Sequence, residues 1–161
     1  MNIRALIFDV FGTLVDWRSG VARELRPQLR VSAEEADALA DAWRDEYQPA
    51  MEEVRASRIP FCKLDVLHRR KLDVVLDRFG HDANEATRRD LTLAWHHLDA
   101  WPDVTPALAR LRERFLLAPC SNGNISLMAA LARRNGWHWD AILGAEHARD
   151  YKPKPEVYLA A

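Results

Sequence analysis

Ala5-Leu6-Ile7-Phe8-Asp9-Val10-Phe11-Gly12-Thr13-Leu14-Val15 is the stretch on which the reading turns. Four apolar residues, then a carboxylate, then a Gly-Thr turn, read as a buried strand over residues 4–10 that stops at Asp9. Asp is depleted in strands and costly to bury unpaired, so propensity does not put it there. In open α/β sheets ligands bind just beyond the carboxyl ends of the strands. Asp9 is therefore a candidate for chemistry; the competing reading is an Asp that merely caps the next turn.

The pattern repeats downstream. Phe115-Leu116-Leu117-Ala118-Pro119-Cys120 reads as a second buried strand and runs into Ser121-Asn122-Gly123-Asn124, a polar turn that opens a helix ended by Gly136. Ala141-Ile142-Leu143-Gly144-Ala145 reads as a short third strand. Asp150-Tyr151-Lys152-Pro153-Lys154-Pro155 then leads into a last helix from Glu156 to Ala161. Thr105-Pro106 reads as an N-cap with proline at the first helical position. Strands alternating with helices predict a parallel, doubly wound α/β sheet.

Between the first strand and this block the periodicity is helical from 16 to about 98. Ala36, Leu39, Ala40, Trp43, Tyr47, Ala50 and Met51 make one apolar stripe. Ser32 with Glu35 reads as a capping box, and Pro49 as a kink or break. Leu72, Val75, Leu76 and Phe79, stopped by Gly80, make a second stripe; Leu91, Ala94, Trp95 and Leu98 make a third. Residues 17–98 thus read as a helical insertion, a cap, in a core built from 1–16 and 99–161.

Bulk properties exclude several classes. The chain has 161 residues, 48% of them hydrophobic and 29% charged, with a net charge of −1, so no basic excess points to nucleic acid. No apolar run approaches a membrane span and no signal-peptide pattern opens the chain. Cys62 and Cys120 read as free thiols of a reducing, cytoplasmic compartment. The six histidines show no metal-ligand spacing; His96 and His97 are adjacent and would point about 100° apart on a helix.

Three segments carry a family resemblance. Phe8-Asp9-Val10-Phe11-Gly12-Thr13-Leu14, Cys120-Ser121-Asn122-Gly123 and Tyr151-Lys152-Pro153 resemble the first three motifs of the haloacid dehalogenase superfamily, in order and with room for a cap after the first. The resemblance implies a Rossmann-like core. The superfamily's phosphatases carry a second Asp two residues after the nucleophile, to protonate the leaving oxygen. Here that position is Phe11, which cannot transfer a proton. The chain therefore resembles the (S)-2-haloacid dehalogenases, whose halide leaves without an acid; Ala42-Trp43-Arg44, and Tyr158 six residues after the lysine, are similar to that subfamily as well.

What the resemblance implies can be stated residue by residue. Asp9 would be the nucleophile that displaces halide from C2 of an (S)-2-haloacid, giving an ester that water hydrolyses to the (R)-2-hydroxy acid. Lys152 would lie near Asp9 and favour its charged form, its bland alternative being a solvated loop lysine. Thr13 would order the turn around Asp9, or simply cap. Ser121 and Asn122 would hold the substrate carboxylate, with turn N–H groups at a helix N-terminus, or act as N-caps only. Arg44 would accept the halide; otherwise it is a surface arginine paired among Asp41, Asp45 and Glu46. Phe11 and Tyr158 would line an apolar pocket. No metal or cofactor is expected, since displacement from carbon, unlike phosphoryl transfer, needs no Mg²⁺. The expected partner is a small 2-haloacid, with a homodimer common in the family.

A Mg²⁺-dependent phosphatase of the same superfamily is the alternative enzyme. The family also carries a fourth motif, a further strand ending in an acidic residue, for which this chain has no counterpart. Either a fragment of an active enzyme or a non-catalytic protein is then expected, with the first strand left at a sheet edge.

Overall fold

The computed structural model describes residues 3–161. They divide into two compact units, one of residues 3–17 with 98–161 and one of residues 18–97.

The first unit is α/β. Strand β1 (Ala5–Phe8) pairs in parallel with β2 (Leu116–Ser121), Ala5 opposite Leu116 and Phe8 opposite Pro119; β2 pairs in parallel with β3 (Leu143–Gly144), Ser121 opposite Gly144. Central β2 has neighbours on both sides and is buried almost throughout, as its unbroken apolar run requires. β1 has one neighbouring strand among the described residues. Its side chains alternate between exposed and half-buried, and Ile7 is 48% exposed. The buried reading of this strand is thus corrected, and the sheet-edge expectation describes it instead.

The third strand is two residues rather than five, and backbone geometry explains where it stops. At Gly144 φ is +120°, and a Cβ there would sit 2.1 Å from the Ser121 carbonyl oxygen. Only glycine permits that approach. The chain then turns at once into helix α8, Ala145–Ala148, numbered after the seven helices described next.

Helix α1 (Trp17–Leu29) starts at the boundary between the units. The helical unit continues with α2 (Ala33–Asp45), α3 (Tyr47–Arg55), α4 (Leu64–Phe79), α5 (Glu85–Thr92) and a 3₁₀ turn, Leu93–His96. The three apolar stripes form its core: Leu39, Met51, Leu76, Leu91 and Trp95 are completely buried. The Ser32 hydroxyl accepts from Glu35 N at 3.1 Å, but the Glu35 carboxylate meets His81 instead of returning to the cap, so half of the expected box forms. α2 and α3 part at Glu46, three residues before Pro49, and Gly80 ends α4 with φ +74°. No helix among the described residues is long and apolar enough to cross a membrane.

In the α/β unit α6 (Val104–Arg112) begins one residue before Thr105, which is therefore not its N-cap. The Thr105 hydroxyl donates to Asn135 O at 3.3 Å and accepts from Trp137 Nε1 at 3.0 Å. Pro106 still falls in the first turn, where its missing N–H costs nothing. Helices α7 (Ile125–Asn135, ended by Gly136) and α9 (Pro155–Leu159) complete the unit.

Candidate active site

Asp9 follows β1 and begins a tightly wound loop. Leu14 N and Thr13 N both donate to Val10 O, at 2.8 and 3.2 Å, and Gly12 N donates to Val15 O at 3.1 Å. Gly12 takes φ +86° to allow this. The winding brings Thr13 back over the strand end, where its hydroxyl donates to Asp9 Oδ2 at 2.8 Å. Trp101 steadies the loop from outside through Nε1 on Gly12 O, 3.3 Å away.

Lys152 closes the other side. Its Nζ stands 2.5 Å from Asp9 Oδ1, across 143 residues of sequence. The ammonium end is mostly buried while the Asp9 carboxylate is 46% exposed, so the carboxylate is held on two sides and open on another. Neighbouring Lys154 instead reaches Asp150, 3.7 Å away.

Ser121 and Asn122 lie at the end of β2, buried, beside this pair. The Ser121 oxygen accepts from Gly123 N at 3.0 Å, which leaves its hydroxyl proton to donate. Asn122 Oδ1 accepts from Lys152 N at 2.8 Å. Asn122 thus fixes the backbone that carries the lysine, a role its neighbours in sequence do not suggest. The N-cap of α7 is Asn124, not Ser121 or Asn122. Its first helical N–H, Ile125 N, is taken by the Glu146 carboxylate at 2.7 Å. Two of the N–H groups expected to be available to an anion are therefore already committed within the protein. Glu146 was not singled out from the sequence, and no local pattern could have found it, because it lies 21 positions from its partner.

Phe11 is buried, with its ring against the motif-two turn: a Cβ on Gly123 would stand 3.4 Å from Phe11 Cε2. Tyr158 is 48% exposed on α9, whose inward residue is Val157. Cys120 precedes Ser121 on β2; burial pushes its thiol up, with Lys152 opposing the rise and Asp9 adding to it, so it stays protonated.

Arg44 belongs to the helical unit. Its guanidinium carbon lies 4.0 Å above the centre of the Tyr47 ring. Of the acidic residues named in the bland reading, Asp41 pairs with Arg18 and Glu46 with Arg78 and Lys71.

A family model described as haloacid dehalogenase-like hydrolase matches residues 3–161. The chain belongs to the haloacid dehalogenase-like hydrolases. It is similar to (S)-2-haloacid dehalogenase 1 of Pseudomonas sp. (strain CBS-3), 30% identical over 99% of this chain and 69% of the relative. It is also similar to (S)-2-haloacid dehalogenase 4A of Burkholderia cepacia, 28% identical over 99% of this chain and 68% of the relative. Among solved structures, the L-2-haloacid dehalogenase PA0810 superposes with a TM-score of 0.91 at 42% identity, covering 98% of this chain and 69% of that one. This haloacid dehalogenase-like hydrolase thus spans about two thirds of each of those proteins, and its parallel sheet and helices are those of that fold.

Proposed function

We propose that this hydrolase converts (S)-2-haloacids to (R)-2-hydroxy acids through an aspartyl ester. The observation that carries the reading is Asp9, held by Lys152 and Thr13, with the aromatic Phe11 where a proton-donating acid would otherwise stand.

The substrate carboxylate would rest on the Ser121 hydroxyl and the Asn122 side-chain N–H₂, the Asn122 oxygen being occupied by Lys152 N. One Asp9 oxygen attacks C2 from the face opposite the halogen. The C–O bond forms as the C–halogen bond breaks, the electron pair leaves with the halide, and C2 inverts. Arg44 is the proposed acceptor of the departing anion. Water then attacks the Asp9 carbonyl carbon; the ester C–O bond at that carbon breaks, the 2-hydroxy acid leaves, one proton is released and the Asp9 carboxylate returns. A bound substrate, walled by Phe11 and by Tyr158 as a further proposed wall, would displace water from the open side of the nucleophile and strengthen its interactions. Halide is a stable anion and needs no acid, so the scheme requires neither metal nor cofactor.

The test is halide release from (S)-2-chloropropionate with and without EDTA, for the chain and for Asp9→Asn. EDTA-indifferent release that disappears in Asp9→Asn supports the reading. Release that survives the substitution overturns it, as does turnover of p-nitrophenyl phosphate that requires Mg²⁺.

A further inference from the structure

The helical unit holds a buried histidine that the proposed chemistry leaves unused. His68, on α4, is 3% exposed, and neither ring nitrogen has a hydrogen-bond partner among the described residues. A buried polar group left unsatisfied costs stability, so a hydrocarbon side chain would pack there more cheaply. Its surroundings show what the ring does. The imidazole stacks on Trp95 with centroids 4.3 Å apart and planes 20° from parallel. It also faces Tyr47 at 6.1 Å and 33°, and Tyr47 carries the Arg44 guanidinium at 4.0 Å. Trp43 braces the stack edge-on, 6.0 Å from His68 and 5.5 Å from Trp95, while its Nε1 donates to His68 O at 3.0 Å.

Four elements thus contribute to one column running Arg44, Tyr47, His68, Trp95: α2, α3, α4 and the 3₁₀ turn. We infer that His68 is a positioning residue for Arg44, a flat plate that fixes the Tyr47 ring and, through it, the plane of the guanidinium. Arg44 has a long, flexible stem, and a guanidinium that must meet a departing anion is useful only if its orientation is set beforehand. The plate must stay neutral, because a cation there would face Arg44. Burial depresses the imidazole to a pKa of about 3, and Arg44 and His96 push it the same way against the opposing pull of Asp65. The inference rests on the proposed role of Arg44 in dehalogenation.

The experiment compares His68→Phe and His68→Leu in the full chain. Phenylalanine keeps a flat ring, whereas leucine keeps apolar volume without one. Halide release from (S)-2-chloropropionate should fall on the order of tenfold to a hundredfold in kcat for His68→Leu. It should be restored to within a few-fold of the parent in His68→Phe. Both variants should melt no lower than the parent, since each removes two unsatisfied nitrogens. A second readout needs no turnover: the Arg44 Nε–H resonance, displaced by the Tyr47 ring, should return toward its unstacked position in His68→Leu and stay put in His68→Phe. An unmoved resonance and unchanged kcat in His68→Leu overturn the inference, as does equal impairment of both variants. If Arg44→Ala leaves halide release intact, the role of Arg44 fails, while the resonance still reports whether the column holds the guanidinium.

Discussion

Gly144→Ala should separate β3 from β2 and disturb Ser121 with it. The new Cβ would lie 2.1 Å from Ser121 O, 2.6 Å from Ser121 N and 3.0 Å from Ser121 C, all backbone atoms. Backbone in a sheet cannot swing aside as a side-chain end does, so the strands must part by about 0.9 Å merely to relieve the shortest contact to 3.0 Å. The φ of +120° adds strain of about 1–3 kcal/mol for a residue with a side chain. Loosening the short parallel pairing that joins Ser121 to Gly144 forfeits about 1 kcal/mol per hydrogen bond. Together these predict about 3–5 kcal/mol of lost stability, a large part of what a domain has. Gly80→Ala is the control: φ is +74° there too, but nothing lies within 4 Å, so only the conformational cost of about 1 kcal/mol should appear. Urea denaturation followed by circular dichroism measures both, and halide release at a temperature where both variants are folded measures the effect on Ser121. If the two alanine variants unfolded at the same midpoint, the close approach of β3 to Ser121 would be wrong.

Other outcomes follow from the same geometry. Because the folded pKa of His68 lies below its ordinary value, at about 3, the unfolded chain binds a proton that the folded chain refuses. The stability due to neutral His68 is complete above about pH 6.5 and is lost as pH falls from there toward 3, with a slope of up to about 1.4 kcal/mol per pH unit. His68→Phe should remove that component from a pH series of denaturation midpoints, and an unchanged series would contradict it. Asn122→Ala frees Lys152 N as well as removing a side-chain donor. It should cost about 1–3 kcal/mol in unfolding experiments, because the abandoned N–H is part-buried. It should also lower kcat/KM more than Ser121→Ala does, since it disturbs the lysine as well as the substrate; equal losses would argue that Asn122 touches substrate alone.

Local chemistry made much of this protein legible before any coordinates. Asp9 at a strand end, Gly12 where the chain must reverse, Ser32 at a helix start and Gly80 at a helix end each act within about five residues. For such features side-chain type and backbone preference decide the structure. The three apolar stripes likewise announced the helical unit, because a period of 3.6 needs no distant partner to be read. The partners of those residues were beyond that reach. Lys152 meets Asp9 across 143 positions, a pairing that the family resemblance implied and local chemistry did not; Asn122 meets Lys152 N across 30, and Glu146 takes the first N–H of α7 across 21. Strand β3 shrank to two residues, and Thr105 exchanged capping for a bond to Asn135, because packing and close backbone approach outweighed local preference. The stacking of Tyr47, His68 and Trp95 from three separate elements carries no sequence signature at all. Sequence by itself determined which elements form and where a strand-end carboxylate stands. Only the tertiary structure decided what surrounds that carboxylate, because those neighbours are set by how distant segments share one interior.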